Sequence, residues 1–428
     1  MTKSSANSRA AAVRLLIRVL QKQQPLEDAL DPVLQGFPAR DRALTRAITS
    51  TTLRHLGVID ALIDKMLDRP LPEKAQEIRH ILRIGITQIL YLNIPSHAAV
   101  HDTVALVPDR SKHKGLVNAL LRRIDRQGEK LLAKIDIPRV NTPAWLWESW
   151  VRHYGDETAR LIAKAHLTEA SLDISVKTDP GKWEAELNSE LLPTGTLRRA
   201  TITTLNELPG YDDGEWWVQD AAAALPAKLL GDISGKLIID LCAAPGGKTA
   251  QLAAAGAKVI ALDRSKNRLK RLTENMERLR LPVIVDVGDA ESFVPDQQPD
   301  GILLDAPCSS TGTLRRHPDV AYLKSQADVE KLSGLQARLL DNSAQMLKTG
   351  GLLVYSVCSL QPEEGEAQVA AFLERNPLFV REAIKAEEIG GAGDLINSEG
   401  DLRSLPFHLG GMDGFYAARL RKISTSSA

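Results

Sequence analysis

Two cysteines follow apolar runs that have the pattern of buried parallel strands. Residues 301–304 (GILL) lead into Asp305 and, after Ala-Pro, into Cys308, while residues 351–357 lead into Cys358. Open α/β sheets place their chemistry at the carboxyl ends of parallel strands. We therefore expect both thiols at neighbouring strand ends, where an inert packing role is improbable.

A glycine-rich turn precedes them in the chain. Residues 240–249 read DLCAAPGGKT, and glycines at a strand-to-helix turn let the backbone approach a ligand beside free N–H groups. A phosphate-binding GxxxxGK[ST] loop needs glycine where Cys242 stands, and the GxGxxG spacing also fails. The turn therefore favours a ligand with a carboxylate and a nucleoside. Its candidate cofactor-binding residues are Cys242, Ala243, Ala244, Pro245, Gly246, Gly247 and Lys248.

An aspartate lies at or just after the end of each of three successive predicted strands. Asp263 ends the second strand, 16 residues after Gly247, where a carboxylate can accept both ribose hydroxyls. Asp289 follows the third strand and is placed to bind an adenine amine, and Asp305 ends the fourth. Each acid alone could be a capping residue, but together they indicate a cofactor site. For Cys242 we expect a backbone contribution and no thiol chemistry.

Composition limits the classes of protein that fit. The 428 residues are 43% apolar and 25% charged, as in soluble proteins of two or three domains. We find no apolar run long enough for a membrane span and no signal peptide, and therefore expect a cytoplasmic protein. Three cysteines without a CxxC pair indicate free thiols and no metal site.

The chain divides into a predicted helical part and a predicted α/β part. Residues 1–140 carry 23 Lys and Arg against 14 Asp and Glu, a basic excess that indicates a polyanion as partner or attraction between the two halves. Apolar residues at helical spacing, punctuated by prolines, predict five to seven helices there. The rest of the chain carries a matching acidic excess.

Three further segments complete the predicted organisation. Residues 141–215 predict a small α+β linker or RNA-binding unit, with a helix over 145–165, strands over 172–177 and 199–205, and a helix over 182–190. Alternating strands and helices predict a doubly wound parallel sheet over 216–422. We expect a disordered tail over 423–428.

Several residues are candidates for RNA contact. Basic side chains cluster over 110–114 and continue as Arg122, Arg123 and Arg126 on a predicted helix, although a solvated helix face has the same pattern. Residues 313–319 (TLRRHPD) follow the cysteine loop and are predicted to hold RNA phosphates. For the six tryptophans, at 145, 147, 150, 183, 216 and 217, packing is favoured over base stacking.

The motifs DLCAAPGGKT, LLDAPCSSTG and YSVCSLQPEE, in that order and spacing, resemble the S-adenosylmethionine-dependent RNA cytosine-5 methyltransferases of the Fmu/Sun type. The helical segment is similar to the NusB type of antitermination factor, so that the resemblance covers residues 8 to 421. It implies a class I Rossmann-like catalytic domain and a NusB-like RNA-binding domain. Two residues depart from the usual pattern: Val357 replaces a frequent Thr, and Ser310 replaces a common Gly.

The resemblance also implies roles for the site residues. Cys358 is the nucleophile that adds to cytosine C6, Cys308 assists product release, and Asp305 holds or protonates N3 beside S-adenosylmethionine. The implied substrate is unassembled 16S ribosomal RNA, with the cytosine at position 967 as target, acted on by a monomer without metal or membrane.

Three alternatives stay open. Cys308 could be the nucleophile, since DNA cytosine-5 methyltransferases use the thiol of the Pro-Cys pair. The chain could methylate cytosine in another RNA. It could also be an RNA-binding ribosome-assembly factor that has lost catalysis, although both thiols, the three acids and the glycine-rich turn speak against this.

Overall fold

The computed structural model describes residues 3–200 and 205–424, which form two compact units. The first unit comprises the chain to Thr168 together with Leu314–Ser325, and the second comprises the remainder. This division differs from the boundary predicted at residue 140. The helices that follow that residue remain with the first unit, since Asn141 Oδ1 accepts a hydrogen bond from the Val58 amide at 2.9 Å.

The first unit is entirely helical over its described residues. Its helices are α1 (Lys3–Lys22), α2 (Leu26–Leu34), α3 (Ala39–Arg54), α4 (Leu56–Met66), α5 (Gln76–Leu90), α6 (Ser96–Val104), α7 (Lys114–Leu132), α8 (Ile137–Asn141), α9 (Ala144–Tyr154), α10 (Asp156–His166) and α15 (Val320–Leu323). Residues 3–132, all described, hold seven helices, within the predicted range. Their apolar stripes, such as Ile59, Leu62 and Ile63, form one buried core.

One predicted helix is in fact two. Residues 145–165 have a continuous helical pattern, but the chain breaks at Gly155, whose φ of 82° lies in the left-handed region that ends α9 and precedes α10. Two of the three tryptophans of α9, Trp147 and Trp150, are buried as predicted, and Trp145 is half-buried.

Residues 314–325 follow the cysteine loop but pack within the first unit. The Leu26 amide donates to Asp319 Oδ2 at 2.9 Å, Arg54 donates to the Arg315 carbonyl at 2.8 Å, and the Tyr322 hydroxyl donates to the Leu53 carbonyl. Arg315 is only 3% exposed. The prediction that residues 313–319 hold RNA phosphates is therefore wrong for Arg315, and Arg316 is the exposed basic residue of that segment.

The second unit holds two sheets and the helices that cover them. Its strands are β1 (Leu172–Val176), β2 (Glu190–Leu191), β3 (Leu197–Arg199), β4 (Trp216–Val218), β5 (Leu237–Leu241), β6 (Lys258–Asp263), β7 (Ile284–Val287), β8 (Gly301–Asp305), β9 (Leu352–Val357), β10 (Phe379–Arg381), β11 (Leu402–Ser404) and β12 (Phe415–Lys422). Its helices are α11 (Pro180–Glu186), α12 (Leu225–Lys228), α13 (Gly247–Ala254), α14 (Lys266–Leu279), α16 (Gln326–Met346) and α17 (Glu366–Arg375).

The larger sheet has the order β10-β12-β9-β8-β5-β6-β7, with β11 paired to β12. Strands β5 to β9 are mutually parallel, which confirms the predicted doubly wound architecture. The sequence prediction missed β12, which runs antiparallel to β9. The arginines of β12 do not fit the pattern of a buried strand, because charged residues are seldom buried unless they are paired. Arg419 is buried and pairs with Glu388 at 2.6 Å.

The smaller sheet has the order β2-β3-β1-β4 and carries Trp216 and Trp217, while Trp183 lies on α11. Trp183, Trp216 and Trp217 are all buried, as the packing prediction required. The strand predicted over 199–205 ends at Arg199, and residues 201–204 lie outside the described part of the chain. The predicted helix over 182–190 is α11, which begins and ends earlier.

Two further predictions concern the end of the chain and the membrane. Residues 425–428 of the tail predicted to be disordered lie outside the described residues. Within residues 3–200 and 205–424, none of the helices combines the length and the apolar character that crossing a bilayer requires.

A buried acid lies in the central strand of the larger sheet. Asp240 of β5 is fully buried, and its Oδ2 accepts a hydrogen bond from the Thr249 hydroxyl at 2.6 Å. Burial raises the pKa of Asp240 to about 7. An aspartate in an unfolded chain has a pKa of about 3.9. At pH values between about 3.9 and about 7, the folded chain therefore binds one more proton than the unfolded chain.

Stability should therefore fall as pH rises from 5 to 8, by about 2 to 3 kcal/mol from this group alone. Asp240→Asn keeps an acceptor for Thr249 and carries no charge, so we expect it to remove that part of the pH dependence. The measurement is the unfolding free energy in urea at both pH values. The exposed Asp286→Asn in β7 is the control. An unchanged pH dependence in Asp240→Asn would contradict the assignment.

Candidate active site

The two predicted thiols meet at the carboxyl ends of adjacent strands. Strands β8 and β9 are parallel neighbours, with Asp305 opposite Ser356 in register, and each strand leads into a loop that carries a cysteine. Cys308 Sγ lies 3.5 Å from Cys358 Sγ. Both cysteines are half-buried free thiols.

A serine hydroxyl lies against both sulfurs. Ser310 Oγ is 3.5 Å from Cys358 Sγ and 3.9 Å from Cys308 Sγ. The residue has a φ of 58°, in the left-handed region where glycine is favoured. The departure from the usual glycine at this position therefore adds a hydroxyl next to the thiol pair.

The surroundings make the two thiols unequal. The hydrogen bond from Cys308 lowers the pKa of Cys358, against burial and the negative charge of Asp305, and the Ser310 hydroxyl lowers it further. The same sulfur contact, together with burial, raises the pKa of Cys308 well above its ordinary value. The directions of these two pKa shifts favour Cys358 as the thiolate of the pair and Cys308 as its S–H donor.

A buried carboxylate ties the two cysteine loops together. Glu364 is 0% exposed, and it accepts hydrogen bonds from the Ser309 amide and hydroxyl, from the Ser359 hydroxyl and from Gln336 Nε2. Ser309 directly follows Cys308, and Ser359 directly follows Cys358. One side chain thus fixes the residue next to each thiol, while burial raises the pKa of Glu364.

Backbone contacts bring the loops closer still. The Gly312 amide donates to the Cys358 carbonyl at 3.1 Å, and the Gly414 amide donates to the Gly312 carbonyl at 2.8 Å. A Cβ at Gly312 would lie 1.9 Å from the Gly414 carbonyl oxygen. Glycine at 312 is therefore required by the close approach of two chain segments.

Asp305 is held from two sides. Lys248 Nζ donates to Asp305 Oδ2 at 2.7 Å, and the Ser356 hydroxyl donates to Oδ1 at 3.0 Å. Lys248 is buried and its ammonium also lies 4.8 Å from the centre of the Phe415 ring. The glycine-rich turn and the cysteine loop are thereby connected through one ion pair.

The predicted cofactor residues line the carboxyl edge of the same sheet. The turn from Cys242 to Lys248 joins β5 to α13, with Cys242 at φ 62° and Gly246 at φ 102°. Asp263 is buried at the end of β6 and accepts from the Ala244 amide at 3.2 Å. Asp289 is exposed after β7.

This set of groups fits S-adenosylmethionine. Its ribose hydroxyls and adenine amine are donors, the three strand-end acids are acceptors, and it has no phosphate for which a phosphate loop would be needed. Burial raises the pKa of the Cys242 thiol to about 12, which agrees with a structural role for its side chain. Among the described residues, no group of three or more His, Cys, Asp or Glu side chains could hold a metal ion.

Sequence reasoning missed the residues that hold the site together. Glu364, Ser356 and the hydroxyl of Ser310 were given no role, although all three lie within or beside the quoted motifs. One signal was present: a serine directly follows each active-site cysteine, and both serines donate to Glu364.

Comparisons with known proteins agree with this architecture. A family model described as "16S rRNA methyltransferase RsmB/F" matches residues 227–421, and the NusB family model matches residues 6–126. The solved structure of PH0851 matches with a TM-score of 0.76 at 24% identity, covering 99% of this chain and 100% of that one. A methyltransferase homolog from Pyrococcus horikoshii matches with a TM-score of 0.54 at 26% identity, covering 64% of this chain and 94% of that one.

A curated relative extends the match over both units. Ribosomal RNA small subunit methyltransferase B of Shigella boydii is 36% identical over 392 residues, which are 87% of this chain and 91% of that protein. The thiol pair, the three acids and the glycine-rich turn lie within the RsmB/F match, and the helical unit carries the NusB match. The chain belongs to the RsmB/F family of 16S rRNA methyltransferases, whose methyl donor is S-adenosylmethionine.

Proposed function

We propose that this protein forms 5-methylcytidine in 16S ribosomal RNA through a covalent adduct between Cys358 and cytosine C6. The observation that carries the proposal is the polarised thiol pair, 3.5 Å apart at the strand ends next to Asp305. Cytosine C5 is a weak nucleophile, so a thiolate must first add to C6. The thiol of lowered pKa, Cys358, suits that role.

In the first step, the Cys358 thiolate forms a bond to C6 and the electrons of the C5–C6 double bond move toward C5 and the N3 side of the ring. When its carboxyl carries a proton, Asp305, hydrogen-bonded to the Lys248 ammonium, can donate that proton to N3 and so holds or protonates N3 as negative charge builds on the base. When bound, S-adenosylmethionine would supply an electrophilic methyl group to C5, and S-adenosylhomocysteine would be the leaving group.

Release of the product requires a base. Once the Cys358 sulfur is bonded to C6, it no longer carries the charge that kept the proton on Cys308. Cys308 can then lose its proton to water and accept the C5 proton. The C5–C6 double bond forms again, the C6–S bond breaks, and Cys358 leaves as a thiolate. The two cysteines thus serve as nucleophile and base in turn.

The helical unit offers a surface for RNA. Arg122, Arg123 and Arg126 are exposed on α7, on the side opposite the buried Leu120 and Ile124. We propose that this basic face holds phosphates of the 16S rRNA substrate. The monomeric state and the cytoplasmic location stay predictions.

The enzymatic proposal is tested against the assembly-factor alternative by incubating the purified chain with labelled S-adenosylmethionine and deproteinised 16S rRNA. Appearance of 5-methylcytidine supports the proposal, and its position in the RNA tests the implied target. Binding of the RNA without any 5-methylcytidine favours the assembly factor. Methylation of another RNA in preference to 16S rRNA favours the second alternative.

Replacing each cysteine by alanine should block the reaction at a different step. Cys358→Ala lacks the nucleophile and should form neither product nor adduct. Cys308→Ala can form the adduct but cannot remove the C5 proton, so a protein band of increased mass should persist with RNA on a denaturing gel. Cys242→Ala is the control for loss of a thiol from the same unit. The reverse pattern would exchange the roles of Cys308 and Cys358.

Glu364→Gln should lower kcat on the order of 10²-fold, since a displacement of about 1 Å in reacting groups has that cost. Both serine hydroxyls donate to Oε2 of Glu364, while the Ser309 amide and Gln336 Nε2 donate to Oε1, so an amide group leaves one of these two pairs of donors without an acceptor. The adjacent Glu363→Gln makes the same change of charge and is the control. Steady-state methylation of 16S rRNA measures the effect. Equal activity of the two variants would contradict a positioning role for Glu364.

Replacing Arg122, Arg123 and Arg126 by Gln should weaken RNA binding and reduce its salt dependence. The slope of log K against log salt should fall by about 2, because each neutralised phosphate of single-stranded RNA contributes roughly 0.7 to it. Filter binding at several salt concentrations measures the slope. Replacing the exposed Lys22, Lys65 and Lys74 by Gln removes equal charge elsewhere on the helical unit. The same slope in both triple variants would argue against a specific basic face.

A further inference from the structure

The loop that carries Cys308 contains a serine, Ser310, in a backbone conformation that favours glycine. Ser310 has a φ of 58°, which glycine adopts without strain and serine does not. Its carbonyl accepts a hydrogen bond from the Thr313 hydroxyl, which helps to fix this conformation. A side chain at such a position suggests that its hydroxyl contributes something that glycine cannot.

The hydroxyl can interact with both sulfurs. Ser310 Oγ lies 3.5 Å from Cys358 Sγ and 3.9 Å from Cys308 Sγ, while the sulfurs lie 3.5 Å from each other. A neutral thiol can donate to the hydroxyl oxygen, whereas a thiolate can only accept from the hydroxyl hydrogen. The hydroxyl can therefore reverse its direction when Cys358 loses its proton, without any movement of heavy atoms.

We propose that Ser310 is a positioning residue that donates a hydrogen bond to the Cys358 thiolate and so keeps that sulfur charged and directed in the free enzyme. The inference rests on the proposed function, in which Cys358 attacks the base. Two donors then hold the thiolate: the Cys308 S–H group and the Ser310 hydroxyl. A sulfur held by two donors has a narrower range of positions than one held by a single donor.

A change in the ionisation of Cys358 distinguishes this role from a purely structural one. We would measure alkylation of each cysteine by iodoacetamide from pH 5 to pH 10, using mass spectrometry of peptides from the intact chain. Loss of one hydrogen bond to a charged group should raise the midpoint for Cys358 by about one pH unit and lower alkylation at pH 7 about tenfold.

Three variants separate the hydroxyl from the backbone. Ser310→Gly removes the hydroxyl and relieves the backbone, Ser310→Ala removes the hydroxyl alone, and Ser310→Thr keeps it. We expect the midpoint to rise in the Gly and Ala variants and to return toward the wild-type value with Thr. Cys242, whose pKa is raised to about 12, is the internal control and should not change.

An unchanged midpoint in Ser310→Gly would overturn the proposal, and so would a shift confined to Ser310→Ala, which would reflect the backbone. The assay contains neither RNA nor methyl donor. A chain that forms no 5-methylcytidine could still show the shift, and an active methyltransferase could lack it. Failure of this inference is thus distinguishable from failure of the proposed function.

Discussion

The contact between two sulfurs depends on a carboxylate that touches neither of them. Cys308 and Cys358 come from separate loops after β8 and β9, and parallel strands fix only where those loops begin. Glu364 accepts hydrogen bonds from the serine that follows each cysteine and thereby fixes the distance between the loops. A buried charge is costly unless donors surround it. Here four hydrogen bonds to Glu364 offset that cost and join the segments that carry the chemistry.

The sulfur contact then shifts the pKa values of the two thiols in opposite directions. Two identical side chains in one pocket would titrate as a pair without a preferred order. In this site, Cys308 Sγ lies 3.5 Å from Cys358 Sγ, and the Ser310 hydroxyl lies at the same distance from Cys358 Sγ, where it can donate to the thiolate. Asp305 opposes ionisation of Cys358 by its charge, but Lys248 is hydrogen-bonded to that carboxylate. The residues proposed to bind the methyl donor and the base therefore also influence the ionisation of Cys358.

Much of this could be predicted from the sequence, because the determining signals are local. Apolar runs ending in Asp305, Cys308 and Cys358 indicated the strand ends, and the parallel core strands followed from alternation with helices. Signals that depend on distant partners were missed. Strand β12 has charged residues whose partners, such as Glu388 for Arg419, lie some 30 positions away. Glu364 gave no local sign that it binds two serines 50 residues apart.

The sequence also did not predict that residues 314–325 pack into the helical unit, since the basic residues in that segment are typical of a phosphate-binding loop. Arg315 is buried, and its carbonyl accepts a hydrogen bond from Arg54 at a sequence separation of 261. Composition could indicate that the helical unit is basic, but not which arginines remain exposed.

The central claim is that Cys358, rather than Cys308, bonds to the base. The most direct measurement uses 16S rRNA containing 5-fluorocytidine, because fluorine at C5 cannot be removed as a proton and the adduct cannot be released. Mass spectrometry of peptides from the unaltered chain, after methyl transfer, should find the modified nucleotide on Cys358. Its presence on Cys308, or the absence of any adduct while 5-methylcytidine forms from normal RNA, would contradict the account.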